Sequence, residues 1–339
     1  MVMEVQKLET LPPPPGVFGS LKAGFDIVSS RVALILIPLG LDLFLWLGPR
    51  LSVDGLISPI FKYLYSMAQQ NLTGADLQSF VQRQTQIQEL LQNFNLLSLL
   101  SKSQLFPVGI QSLSAQTLPV TNPLGLENVV VVSSVWVLLG WMIILIPLGW
   151  IGGGVFFRQV SVSVQGEEEA SVGILRSVVQ VIFLSVLWLI FLAVLLIPLV
   201  VVLGILVSIS PLVASLFLSV LFFFSFWLIV PLFFTPHGIF IRKQNALNSI
   251  LSSLRMIRFS LPASGMFVLS VLILSIGLDS LWSVPKSDSW MAAVGFAGHA
   301  FVTTALVAAS FVYYRDMSDW LQNIYERFQE INKKPSSMA

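Results

Sequence analysis

The chain contains no cysteine. Disulfides, thiolate nucleophiles and cysteine-ligated metals are therefore excluded. Charge is nearly as scarce: 10% of its 339 residues are Asp, Glu, Lys or Arg, against roughly a quarter in soluble domains. The net charge is +1 with the basic residues scattered, so no field recruits nucleic acid. Two histidines and no cysteine cannot supply a four-ligand metal set. HExxH, GxSxG and a phosphate-binding loop are also missing. Gly152-Gly153-Gly154 has no lysine following it and reads as a flexible exit from a span or as a close helix contact. No catalytic, cofactor-binding or metal-binding residue is assigned, and no cofactor is expected. Met1–Leu11 is polar and Pro12–Pro15 follows, which fits a stiff spacer rather than a cleavable signal.

What the chain does have is apolar sequence: 55% of residues are hydrophobic and the mean hydropathy is +0.86. Crossing a bilayer takes about 20 mostly apolar residues. Six stretches qualify: Val32–Leu47, Val129–Ile151, Val181–Leu203, Leu212–Phe234, Met266–Trp282 and Met291–Tyr313. The first and fifth are short, and each is expected to borrow a turn from the segment before it. Trp46, Trp150, Trp282 and Trp290 fall near span ends, where aromatic belts form. With the N-terminus inside, inner segments hold thirteen Lys and Arg and outer segments five. That bias places both termini in the cytoplasm. Pro38, Pro147, Pro198 and Pro231 lie within or at the ends of spans and read as fixed kinks or as hinges.

Three openings, Gly19-Ser20-Leu21-Lys22, Gly173-Ile174-Leu175-Arg176 and Ser249-Ile250-Leu251-Ser252, each start a half-apolar helix that runs into a span. A half-apolar helix beside a span lies in the interface plane. The expected fold is all-α: a polytopic membrane bundle of six transmembrane helices in three elbow-helix-plus-hairpin repeats, all parallel in sense. The third unit reads Ile229-Val230-Pro231-Leu232-Phe233-Phe234-Thr235-Pro236, then Arg242-Lys243, then Ala246-Leu247-Asn248-Ser249-Ile250-Leu251-Ser252-Ser253-Leu254-Arg255. This pattern resembles the bacterial six-span group that includes the membrane domain of glycerophosphodiester phosphodiesterases. The resemblance covers residues 16–48 and 129–315 in pattern and 229–260 as a motif. It implies a six-span fold and a bacterial inner-membrane setting, and it assigns no activity. The chain departs from the group in lacking a phosphodiesterase domain and in carrying an insertion in its first hairpin.

The expected organisation is a cytoplasmic tail (1–15), a first elbow and hairpin (16–151) with an extracytoplasmic helical insertion (49–128), a second (152–235) and third (236–315) elbow and hairpin, and a cytoplasmic amphipathic helix and tail (316–339). Within the insertion, Ile57–Leu72 and Leu77–Leu100 read as helices, with Thr73 or Asp76 able to cap the second. Residues 106–123 read as a loop. The insertion is expected to cap the bundle, the alternative being a lid or partner-docking element. In the tail helix, Met317, Trp320, Leu321, Ile324, Phe328 and Ile331 share a face. It is expected to pack on the protein's own elbows, with an outside partner as the alternative. Glu167-Glu168-Glu169 reads as a favourable acidic start to the second elbow.

Ionisable residues at membrane depth are the candidates for function. By helical rise, Asp42 lies about 9 Å inside the outer end of its span, Asp279 about 5 Å from its outer end, and His299 about 13 Å from Trp290. Asp42 and His299 are each expected to face inward toward a partner or water; if they meet, the carboxylate favours a charged ring. A proton site and a static structural pair both fit such contact. Asp279 is expected to be interfacial and solvated, and His237 to be a turn residue. The leading functional reading is a non-enzymatic integral membrane protein, a scaffold or lipid-interacting factor. Its partners would be membrane lipids and a protein docked through the insertion or the C-terminal helix. The alternative is a transporter or permease with its polar site near Asp42 and His299.

Overall fold

A computed structural model describes residues 13–69, 75–101, 106–117, 121–125, 128–166 and 172–333. Thr73, Glu167-Glu168-Glu169 and the first twelve residues lie outside the described residues, as does the side chain of Asp76. The chain forms an all-α polytopic bundle. Its helices are α1 (Val17–Ser30), α2 (Leu36–Leu47), α3 (Asp54–Gln69), α4 (Ala75–Asn93), α5 (Leu113–Thr117), α6 (Val135–Gln165), α7 (Ile174–Ile209), α8 (Pro211–Phe233), α9 (His237–Ile241), α10 (Ala246–Trp282) and α11 (Met291–Lys333). Among the described residues, five helical stretches are long and apolar enough to cross a membrane: Val135–Gln165, Ile174–Ile209, Pro211–Ile241, Ala246–Trp282 and Met291–Gln329. A sixth arises if Val17–Ser30 and Val32–Leu47, bent by 95° to one another, count as one span.

That bend is the clearest of the expected elbows. Ser29 and Ser30 turn their hydroxyls back onto Asp26 O and Ile27 O, competing with the helix for its last carbonyls. Arg31 leaves helical geometry at φ −133°, ψ 62°, and a 3-10 turn, Val32–Ile35, leads into α2. The first span therefore does not borrow a turn from its elbow. The second and third elbows behave differently: α7 and α10 run unbroken from the elbow residues through the span. Nothing between Ile174 and Val181 interrupts the backbone ladder, and Pro262 is carried inside α10. Neither elbow is a separate helix, so the structure does not repeat the first elbow three times.

By contacts the chain divides into two compact units. The first draws on residues 1–32, 157–275 and 304–339. In it α1 lies close on α11: a Cβ at Gly24 would come within 2.6 Å of Ala309 Cβ. Leu21 and Val28 are buried, whereas Phe18 is exposed. The start of α10 is secured twice, by Asn245 Oδ1 accepting from Asn248 N at 2.9 Å and by Gln180 Oε1 of α7 accepting from Ala246 N at 2.8 Å, which satisfies donors that a helix start leaves open. The tail helix is continuous with α11. Met317 is buried, Ser318 reaches Met256 Sδ and Asp319 pairs with Arg242, so it packs against the chain's own third elbow. Along the α7–α8 hairpin, large apolar side chains such as Ile197, Val200, Leu212, Phe222, Phe223 and Trp227 are exposed, as suits contact with acyl chains.

The second unit draws on Ala33–Phe156 and Ile276–Thr303. Arg50–Ser52 (β1) and Val129–Val131 (β2) pair in parallel, Arg50 opposite Val129. The second span thus starts at Val135 rather than Val129, and it continues past Ile151 to Gln165. Gly152-Gly153-Gly154 sits inside that helix as a close contact: a Cβ at Gly153 would lie 2.6 Å from Gly109 Cα. One apolar cluster joins Leu45, Leu51, Val53, Leu96, Leu97, Val132 and Leu145. Asn95 organises its edge, accepting from Leu51 N at 3.0 Å and Leu97 N at 3.1 Å. A second cluster joins Trp46, Leu113, Ala292 and Phe296, flanked by Leu39, Leu43, Leu47 and Trp282. Trp46 is a core residue rather than a belt residue. Its indole lies edge-on to Trp290 and Phe296 and donates to Ser287 O at 2.8 Å.

Candidate functional site

The three ionisable candidates all fall in the second unit. Asp42 is on α2, one turn before Trp46, and is fully buried. Its Oδ1 accepts from Ser112 Oγ at 2.6 Å and from Ser114 N at 2.9 Å. Its backbone carbonyl accepts from Ser114 Oγ at 3.0 Å. Ser112 in turn accepts from Ala115 N, capping α5. The segment expected to be a plain loop therefore contains a short helix whose N-terminal donors converge on one carboxylate. Charge-assisted bonds of this kind are about twice as strong as neutral ones.

His299 is on α11 and is also fully buried. The turn between Trp282 and Met291 brings α10 and α11 back alongside each other, and His299 Nδ1 lies 2.8 Å from Asp279 Oδ1. The Asp279 side chain is 18% exposed, so its expected solvated position gives way to a mostly buried one paired with His299. The ring of Trp282 lies flat against α11, where a Cβ at Gly298 would come within 2.6 Å of it. Gly295 and Gly298 thereby let an indole pack beside His299. Thr303 Oγ1 donates to His299 O at 2.8 Å, fixing the next turn of the helix.

The expected Asp42–His299 contact takes a different form. Trp46, one turn after Asp42, packs on Phe296, one turn before His299, with ring centroids 5.2 Å apart, yet Asp42 Oδ2 and His299 Nε2 have no hydrogen-bond partner among the described residues. The reason is helix rotation: His299 presents Nδ1 to α10, and Asp42 presents Oδ1 to α5. Trp282 Nε1 is a third enclosed polar atom without a partner there. The described residues contain no group of three or more His, Asp or Glu placed to hold a metal ion.

His237 follows the turn at 234–236 and opens α9. It is buried, and its Nε2 lies 2.7 Å from Ser310 Oγ, with Phe233, Phe311 and Tyr314 around its ring. Sequence reading missed the polar stripe that accompanies it in the first unit. On α10, Ser249, Ser252, Ser260 and Ser264 face inward. Ser252 donates to Gln244 Oε1 at 2.7 Å and lies 3.3 Å from Tyr314 Oη. Ser260 meets Ser264 at 2.9 Å, and Ser264 meets Tyr313 Oη at 3.2 Å. Ser249 donates to the Thr235 carbonyl, while Ser252 and Ser264 bind α10 to α11. The serine spacing in α10 was its only sequence signal.

Comparison with known proteins finds no matching family model, no matching curated protein and no matching solved structure.

Proposed function

We propose that the chain is a non-enzymatic, multi-pass protein of the bacterial inner membrane that acts as a scaffold or lipid-interacting factor, with both termini cytoplasmic. One observation carries this reading: the carboxylate buried at membrane depth in the first span is bonded to the chain's own Ser112 and Ser114. Asp42 thus acts as a clasp that holds the 106–117 segment on the bundle. A protein whose buried charge shapes its own surface is suited to presenting that surface. The exposed α7–α8 hairpin supports the lipid-interacting part, and the resemblance of residues 229–260 to the six-span group supports the bacterial inner-membrane setting.

A transporter is the second reading, favoured by the unpartnered Asp42 Oδ2 and His299 Nε2. The two are separable in one set of preparations. Photo-crosslinking from α4 in native membranes should capture a defined protein or lipid that is lost when Asp42→Ala opens the clasp. Proton or solute flux into proteoliposomes that disappears in His299→Gln overturns the scaffold in favour of transport.

A further inference from the structure

Asp42 Oδ2 and His299 Nε2 are enclosed and bonded to nothing among the described residues, and both side chains are completely buried. Each has its other polar atom committed, Asp42 Oδ1 to Ser112 and Ser114 and His299 Nδ1 to Asp279. A neutral imidazole that donates from Nδ1 is an acceptor at Nε2. Two enclosed acceptors, carried on helices that pack together one turn away at Trp46 and Phe296, are unfavourable until a proton joins one of them. Asp279, bonded to His299 Nδ1, is the one of the three whose side chain reaches the protein surface, at 18% exposure. A metal ion fits poorly, since no three-ligand group exists among the described residues; a proton needs no cavity.

We infer that Asp279, His299 and Asp42 form a proton-binding site whose occupancy sets how tightly the Ser112–Ser114 turn is held. A proton on His299 Nε2 gives an imidazolium with Nδ1–H toward Asp279; a proton on Asp42 Oδ2 gives the neutral acid. No bond between heavy atoms changes, and each step raises the charge of the site by one. While Asp42 is ionised, its bonds from Ser112 Oγ and Ser114 N are charge-assisted; once it is neutral, the same donors meet a weaker acceptor. Acidification therefore loosens the turn. The titration steps belong to the cluster rather than to single residues. Around it, α2 contributes Asp42, α10 contributes Asp279 and the Trp282 indole, α11 contributes His299 and Thr303, and α5 with its approach contributes only the Ser112 and Ser114 hydroxyls and amides. Lys286 and Asp288 of the α10–α11 turn are exposed, and Arg50 donates to Gln92 O. The inference uses the clasp and is independent of whether the protein scaffolds or transports.

Two measurements on the full chain in nanodiscs test it. Because the chain has no cysteine, Val108→Cys places a single thiol at a buried position just before the turn. Its labelling rate with a water-soluble maleimide, divided at each pH by that of a free cysteine peptide to remove the loss of thiolate, should rise about fivefold to tenfold on acidification. In Asp42→Asn carrying the same thiol, that ratio should be high at every pH, because the amide imitates the neutral acid. The second measurement needs no substitution at the site: with 15N-histidine, the ring resonances of His299, assigned by their loss in His299→Gln, should move through the same pH step as the labelling. Labelling that is flat with pH, an unaltered pH step in Asp42→Asn, or a His299 ring that does not respond across the step overturns the proposal.

Discussion

Ser112 donates to Asp42 across seventy residues of chain, at 2.6 Å and out of reach of solvent. Ser114 adds a backbone donor to the same oxygen and a hydroxyl to the Asp42 carbonyl. Removing the carboxylate strands two donors, Ser112 Oγ and Ser114 N, in an enclosed place. Asp42→Ala should cost about 2–4 kcal/mol, read as a lowered midpoint of unfolding in detergent. Asp42→Asn keeps an acceptor and should cost distinctly less. Equal losses in the two variants would show that the carboxylate's volume, rather than its hydrogen bonds, matters.

The close approach of α1 to α11 at Gly24 gives a packing prediction with an internal control. Gly24→Val drives a branched side chain into Ala305 and Ala309 and should destabilise the fold by about 1–3 kcal/mol, displacing the elbow. Gly19 lies on the same helix with nothing within 4 Å of an added Cβ, so Gly19→Val should be near neutral. Thermal unfolding of both variants, with protease sensitivity of α1, checks it.

The spans were legible because length and apolar composition are properties of single segments. What depended on how segments meet was not. Val129–Val131 is apolar enough to begin a span, yet Arg50–Ser52 claims it as a strand; a short apolar run cannot distinguish the two by period. The half-apolar pattern before Val181 and Met266 fits an interfacial elbow and equally fits the first turns of an unbroken helix. Only at Ser29-Ser30-Arg31 does the helix end; Ser177 and Ser252 make similar bonds to backbone carbonyls, and their helices run on unbroken. All three candidate residues were found as charges at depth, but their partners were set by helix rotation and by a loop seventy residues away, neither of which leaves a local trace. Asp279 was judged by its distance from a span end alone, which ignores that α11 returns alongside with His299.

The α7–α8 hairpin carries its apolar side chains outward, and the most apolar stretch of α7 buries none of them in the protein. If acyl chains cover it, a charge there meets hydrocarbon. Ile197→Lys should reduce membrane insertion of the hairpin by about 2.5–3.5 kcal/mol on an insertion scale, whereas Ile197→Leu should leave it unchanged. Insertion assayed by glycosylation of an engineered acceptor site checks it. An insertion cost near zero for lysine would place this part of the hairpin in water or against a polar partner.

The last prediction concerns the side of the membrane on which the inserted segment lies. With the N-terminus inside, inner segments collect thirteen Lys and Arg against five outside, and that asymmetry sets orientation when it is carried by short loops. Arg158, Arg176, Arg242, Lys243, Arg255 and Arg315 all fall in such short inner stretches, and Arg242 is held by Asp319 of the tail helix. Gln84 is on α4 and part-exposed, on the segment that this bias sends outward; Ser336 is in the tail that it keeps inside. In a chain without cysteine, Gln84→Cys and Ser336→Cys give one thiol each. On intact cells an impermeant maleimide should label Gln84→Cys once the outer membrane is opened, and should reach Ser336→Cys only after lysis of the inner membrane. Reversed labelling inverts the orientation while keeping an even number of crossings between the termini. Labelling of both thiols from one side means an even number of crossings between α4 and the tail, in place of the five expected, and removes the six-span topology.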